Sequence, residues 1–147
     1  MLYSDLKGRK LVDTASADTV GKVDGFLLDP ATRSVVGLEF KKTDRGSVVR
    51  WSDLTGVGTD AVTVAGADVL GEPEGLLADL AGKDGQVLKK RVLTDAGEDL
   101  GPVRDIDLDP QTGAVLELVV GAKKHPRSIA GSRLLGVGSY AVVVTAQ

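Results

Sequence analysis

Two stretches of this chain are versions of one another. Val20 to Phe40 reads VGKVDGFLLDPATRSVVGLEF, and Leu100 to Val120 reads LGPVRDIDLDPQTGAVLELVV. Gly21, Val23, Leu28, Asp29, Pro30, Thr32, Val35 and Leu38 recur as Gly101, Val103, Leu108, Asp109, Pro110, Thr112, Val115 and Leu118, each pair 80 residues apart with no gap. Length alone leaves 147 residues open to one ordinary domain or two small ones. The repeat decides for two. Units of roughly 65 to 70 residues bury little surface and are marginal alone, so the two are expected to pack together. The expected division is 1–68 for the first unit, 69–86 for a linker and 87–147 for the second.

Within each unit the pattern is that of short strands. In Val20 to Asp29, Phe26 and Leu28 share a face by the period of two. Val23 has the opposite parity, and a bulge at Asp24-Gly25 would return it to the inner face. Asp29-Pro30-Ala31-Thr32 reads as a turn, because the Asp side chain bonds the backbone ahead of it and Pro presets φ. Ser34 to Lys41 returns as a strand with Val36, Leu38 and Phe40 on one face, which completes a hairpin. Several such strands with Gly or Pro between them point to a small barrel or sandwich. Gly56-Val57-Gly58 and Gly136-Val137-Gly138 precede strands, not helices, so they read as tight corners and not as phosphate cradles. Leu2, Tyr3 and Leu6 of the lead-in are expected to tuck against the first unit. In the linker, Pro73 can open a helix at its first position, and Leu76, Leu77 and Leu80 supply an apolar stripe. A helix over residues 73–81 is the expectation.

The order G-x-V-x-x-x-x-L-D-P-x-T-x-x-V, then G-V-G and an A-V-x-V strand, resembles the PRC-barrel family, and it covers the chain twice. The resemblance implies an all-β protein of two PRC-type barrels in tandem, packed as a pseudo-two-fold pair. It implies binding and scaffolding and brings no catalytic residues or cofactor. The membrane helix and the extra barrel that precede this domain in known members have no counterpart before Gly21.

Composition narrows the function classes. The net charge of -3 and sequence pI of about 5.1 disfavour a general nucleic-acid binder, which carries a basic excess. Aromatics are only 3%, so few platforms exist for stacking bases. The absence of cysteine removes disulfides, thiolate nucleophiles and thiolate metal sites, and fits a reducing compartment. No signal-peptide pattern and no apolar run of about 18 residues is present, so a cytoplasmic protein without a membrane span is expected.

Candidate sites divide into charged and apolar sets. Asp105, Asp107 and Asp109 alternate and would suit a hard cation. The first copy has Gly25, Leu27 and Asp29 there, which favours a solvated strand face. His125, the single histidine, has no visible orienting partner or co-ligand, and no G-x-S-x-G elbow exists, so no enzyme and no metal site is expected. Lys123, Lys124, His125 and Arg127 form a basic turn, matched by Lys41, Lys42 and Arg45; these are the anion or RNA candidates. Leu27, Val35, Val115 and Val119 have the wrong parity for their own barrels. They either form the seam between barrels, the favoured reading, or a patch for a partner. Trp51, whose counterpart is Gly131, either plugs the first barrel or anchors a partner. The function expected is a non-enzymatic adaptor binding a protein or larger assembly. An RNA- or ribosome-associated factor using the basic turns is the alternative, and further homo-oligomerisation stays open.

Overall fold

Alternating apolar and polar residues make strands of most of the chain. The computed structural model describes residues 1–146, with every side chain among them except that of Lys42. In the first copy β1 (Lys10–Asp13), β2 (Thr19–Asp29), β3 (Ser34–Thr43), β4 (Gly46–Arg50), β5 (Leu54–Val57) and β6 (Ala61–Val64) form one sheet, ordered β4-β3-β2-β1-β6-β5. In the second, β7 (Arg91–Thr94), β8 (Asp99–Leu108), β9 (Val115–Gly121), β10 (Pro126–Ala130), β11 (Leu134–Val137) and β12 (Ala141–Val144) repeat that order. β1 pairs parallel with β6 and β7 with β12; the other pairs are antiparallel. A 3-10 turn, Trp51–Asp53 or Gly131–Arg133, carries the chain from one sheet edge to the other. The result is the expected pair of small all-β barrels. The G-V-G segments hold more structure than corners, since Gly56-Val57 and Gly136-Val137 end the edge strands β5 and β11.

The β2–β3 ladder slips twice, once through an extra residue in β2 and once through Val36 in β3. The ladder slips between Val23 and Gly25, so Asp24 is the extra residue and Val23 faces inward opposite Phe40, as its parity demanded. A second slip, which alternation does not foretell, lies between Leu27 and Leu28, opposite Gly37 and Val35. It turns Leu28 and Val35 inward together and moves Val36 out. The second copy slips at the same two places, Val103/Asp105 and Asp107/Leu108. Val35 and Val115 therefore belong to the main core, which is continuous through both barrels. The copies differ by one residue in their first turn: Leu11 pairs with Gly21, but Val92 pairs with Gly101.

The linker helix is shorter than expected. α2 spans Leu76–Leu80 and begins after Gly75, so Pro73 does not open it. The residues before it run extended along the β4 edge, where Gly71 and Val48 exchange backbone hydrogen bonds of 3.1 and 3.0 Å. Leu77 then buries itself against Leu27 and Val48, with Val36, Leu80 and Ala81 around them. This corrects the reading of Leu27, which is 2% exposed and lies in neither the seam nor a partner patch. The helix sits on the first barrel for a simple reason. At the equivalent second-barrel positions Asp107 and Ser128 stand in place of Leu27 and Val48, too polar to pack against Leu77.

The lead-in is also corrected. α1 (Tyr3–Leu6) buries Tyr3 and Leu6, and Tyr3 packs edge-on against Phe26 of the first barrel at 4.6 Å. Leu2 instead bridges to Asp107 in the second barrel, and the Met1 amino group bonds the Asp107 carboxylate at 2.7 Å. The segment thus staples both barrels.

Candidate protein-binding surfaces

The barrels meet at the tips of their long hairpins. The Val35 N–H donates to the Gly113 carbonyl at 2.8 Å, and the Val115 N–H donates to the Arg33 carbonyl at 2.9 Å. Because 33 corresponds to 113 and 35 to 115, the contact is reciprocal, as at a two-fold interface. Asp29 and Asp109 shape the tips, accepting from the backbone N–H of Ala31 and Gln111 at 3.0 and 2.9 Å. Val35 and Val115 are thus seam residues closed to outside partners.

The side chains break this symmetry. Trp51 lies over Gly113: a Cβ on that glycine would stand 3.1 Å from the indole. On the opposite side Arg33 crosses the seam and donates from Nε to the Leu134 carbonyl at 2.8 Å, next to the turn that starts at Gly131. Trp51 is neither a barrel plug nor a free anchor; it closes the seam with one edge still open. That edge borders a cleft of 390 Å³ between seam and linker helix, with Val36, Arg50, Glu74 and Leu76 around it.

Val119 is half-buried on the outer face of β9, away from the seam. Lys123, Lys124, His125 and Arg127 are exposed, as are Lys41 and Arg45; the side chain of Lys42 lies outside the described residues. Ser34 and Ala114 bridge antiparallel across the seam, so β3 and the shorter β9 leave it in opposite directions toward their basic turns. No hydrogen bond or salt bridge joins the two basic turns among the described residues.

The three aspartates serve the backbone. Asp107 takes the Met1 amino group, Asp105 accepts the Ser4 and Ile106 N–H groups at 3.1 and 2.9 Å, and Asp109 holds its turn. No cluster of three or more metal-ligating side chains occurs among the described residues. A second cleft lies where α1 meets the first barrel, lined by Tyr3, Asp24, Phe26, Glu39 and Leu88. Burial, and then the Asp24 charge, holds the Glu39 carboxyl above the ordinary glutamate range. Burial, and then Asp24, Glu39 and Asp105, pushes the Tyr3 phenol well above the ordinary tyrosine range.

One surface escapes a reading based on parity. Leu135 is 47% exposed and Tyr140 is 76% exposed, both on the β11–β12 hairpin, where Val143 is half-buried. The first barrel has Thr55, Asp60 and Thr63 at these positions, with Thr55 and Thr63 hydrogen-bonded at 2.9 Å. Leu116, 49% exposed, stands where the first barrel has the helix-covered Val36. Comparing the copies column by column for changes of polarity is the sequence signal that finds these residues.

No helix among the described residues is long and apolar enough to cross a membrane. No curated protein is matched by the chain. A family model described as the PRC-barrel domain matches residues 1–70 and again residues 83–144. Two matches that together span most of the chain, on two six-stranded barrels of identical strand order, make this protein a member of the PRC-barrel family that carries the domain in tandem.

Proposed function

We propose that the chain is a non-enzymatic protein-binding adaptor whose partner docks on the outer face of the second barrel. One observation carries this reading: the copies share a fold but differ in polarity on one hairpin. Leu135, Tyr140 and Val143 replace Thr55, Asp60 and Thr63. Leaving a large aliphatic and an aromatic side chain in water contributes nothing to folding, and exposed apolar groups that cluster mark interaction surfaces. Tyrosine is also among the residues enriched at binding hot spots. Family membership supports the same direction, since PRC-barrel domains are protein-interaction and scaffold modules. The first barrel, covered by its own linker helix, serves in this reading as the rigid mount.

The test is capture from native lysate at low and high salt, with wild type beside Leu135→Asp and Tyr140→Ser. Both substitutions sit on exposed positions and leave folding intact. The expected result is a salt-resistant protein partner lost from both variants. A partner retained by both variants refutes the assignment of this face. RNA recovered only at low salt, and lost when Lys123, Lys124 and Arg127 are neutralised, replaces the adaptor reading with the nucleic-acid one.

A further inference from the structure

The same sheet edge is covered in one barrel and bare in the other. In the first barrel the Val48 amide and carbonyl point out of β4, and Gly71 takes both. The Val48 N–H donates to the Gly71 carbonyl at 3.0 Å, and the Gly71 N–H donates to the Val48 carbonyl at 3.1 Å. Leu70, the residue before, is buried and joins the main core. β10 is the counterpart of β4 in the same register: Ser128 stands opposite Val119 as Val48 stands opposite Glu39. The Ser128 amide and carbonyl therefore point outward too, and no backbone group among the described residues pairs with them. Val48 is buried where Ser128 is exposed. A cleft of 410 Å³ lies along the bare edge, walled by Leu100, Arg127, Ser128, Ile129 and Arg133. In the first barrel Val48 and Asp53, the counterparts of Ser128 and Arg133, share a pocket wall with residues 68–71. We infer that the β10 edge binds an extended acidic peptide of a partner by strand addition, as β4 binds the segment around Gly71.

Three features of the edge select that occupant. The first is the precedent inside the chain: an exchanged pair of backbone hydrogen bonds, with an apolar side chain beside it, already holds a segment on β4. The second is charge. The segment on β4, ADVLGEPE over residues 67–74, carries Asp68, Glu72 and Glu74 and no basic residue. On the second barrel Arg127 replaces Ser47 and Arg133 replaces Asp53, and Lys123 and Lys124 lie exposed in the turn before the strand. Arg133 is held in place by the Thr145 carbonyl, to which its Nε donates at 3.0 Å. Glu98 is the one acid on the cleft wall. An acidic strand thus meets more positive charge on β10 than on β4. The third feature is Pro126. It stands two positions before Ser128, faces the same way and offers no donor, so pairing is confined to the stretch around Ser128. That favours a short peptide over a second copy of β10, which would also set two basic edges against each other. The inference uses neither Leu135 nor Tyr140, so it stands or falls apart from the docking face proposed above.

The test uses the full-length chain and a synthetic peptide of its own residues 65–75, AGADVLGEPEG, added in trans. Exchange of each amide with water is read by NMR. With a Kd of about 0.5 mM, about 1 mM peptide slows exchange at Ser128 about threefold, and Val48, already paired, does not change. Ser128→Pro removes the outward amide and is expected to weaken binding at least about fivefold. A peptide carrying Leu70→Asp is expected to weaken it as much and leaves the protein untouched. Proline is tolerated at an exposed edge position; should Ser128→Pro not fold, the peptide variant decides alone. No slowing at Ser128, or equal affinity for the two peptides, overturns the proposal. Slowing at Ser128 without peptide, growing with protein concentration, overturns it in favour of a second copy of the chain on this edge.

Discussion

Truncating Leu77 measures whether the linker helix belongs to the folded unit or merely rests on it. Leu77 is 7% exposed and completes a cluster with Leu27 and Val48. Leu77→Ala removes three buried carbon groups, worth about 2.4 kcal/mol at about 0.8 kcal/mol each. Buried Leu→Ala substitutions cost about 2–5 kcal/mol depending on how far the site collapses. This cluster is small and close to the surface, and α2 has five residues, so it can settle inward. The expected loss is therefore at the low end, about 2–3 kcal/mol. For a chain of this size that lowers the melting temperature by about 5–10 °C. Urea unfolding followed by Trp51 emission and by far-UV circular dichroism suits the question. Trp51 is the only tryptophan and shares a cleft wall with Leu77. Leu76→Ala is the control: its side chain is 49% exposed and should change stability by less than about 0.5 kcal/mol. A Leu77→Ala loss below about 0.5 kcal/mol, equal to that of the control, would refute the packing argument.

Two other perturbations address the first barrel. Gly46→Ala places a Cβ on the Gly71 backbone at a residue with φ +128°, so it should break the edge pairing between Gly71 and Val48 and cost at least about 1 kcal/mol. Hydrogen exchange at the Val48 amide should accelerate, and unchanged protection there would contradict the pairing. For Glu39 the folded pKa is raised by burial and Asp24. Its contribution is fully present below the ordinary glutamate pKa and is lost as pH rises through the higher folded value. Stability should thus fall across that window in wild type and stay flatter in Glu39→Gln; identical pH profiles for the two would show that Glu39 is not desolvated.

Much of the fold was legible because the forces that set it are local. The period of two, the Asp-Pro turns and the repeat spacing named the hairpins and their number, and the parity of Val23 revealed the first bulge. The second bulge was not legible. Nothing in Val35-Val36-Gly37 marks Val36 as an extra residue; pairing of Gly37 and Val35 with Leu27 and Leu28 across the sheet decides it, and parity alone therefore points Val35 and Val115 outward. The helix start was misplaced for a similar reason, because extended pairing of Gly71 with Val48 takes the residues before Gly75.

The candidate surfaces show the same division. That Lys123, Lys124, His125 and Arg127 lie exposed in a turn follows from their composition. That the strands bearing the two turns leave the seam in opposite directions follows only from the pairing of Ser34 with Ala114. Sequence by itself determined a duplicated, aliphatic, all-β chain with one tryptophan whose counterpart is a glycine. Tertiary structure alone decided that this tryptophan closes on Gly113 and that Leu27 lies under a helix. It also decided that Leu135 and Tyr140 are left in water. Alternation specifies which way a side chain points from its own strand, whereas what stands opposite it is supplied by residues far along the chain.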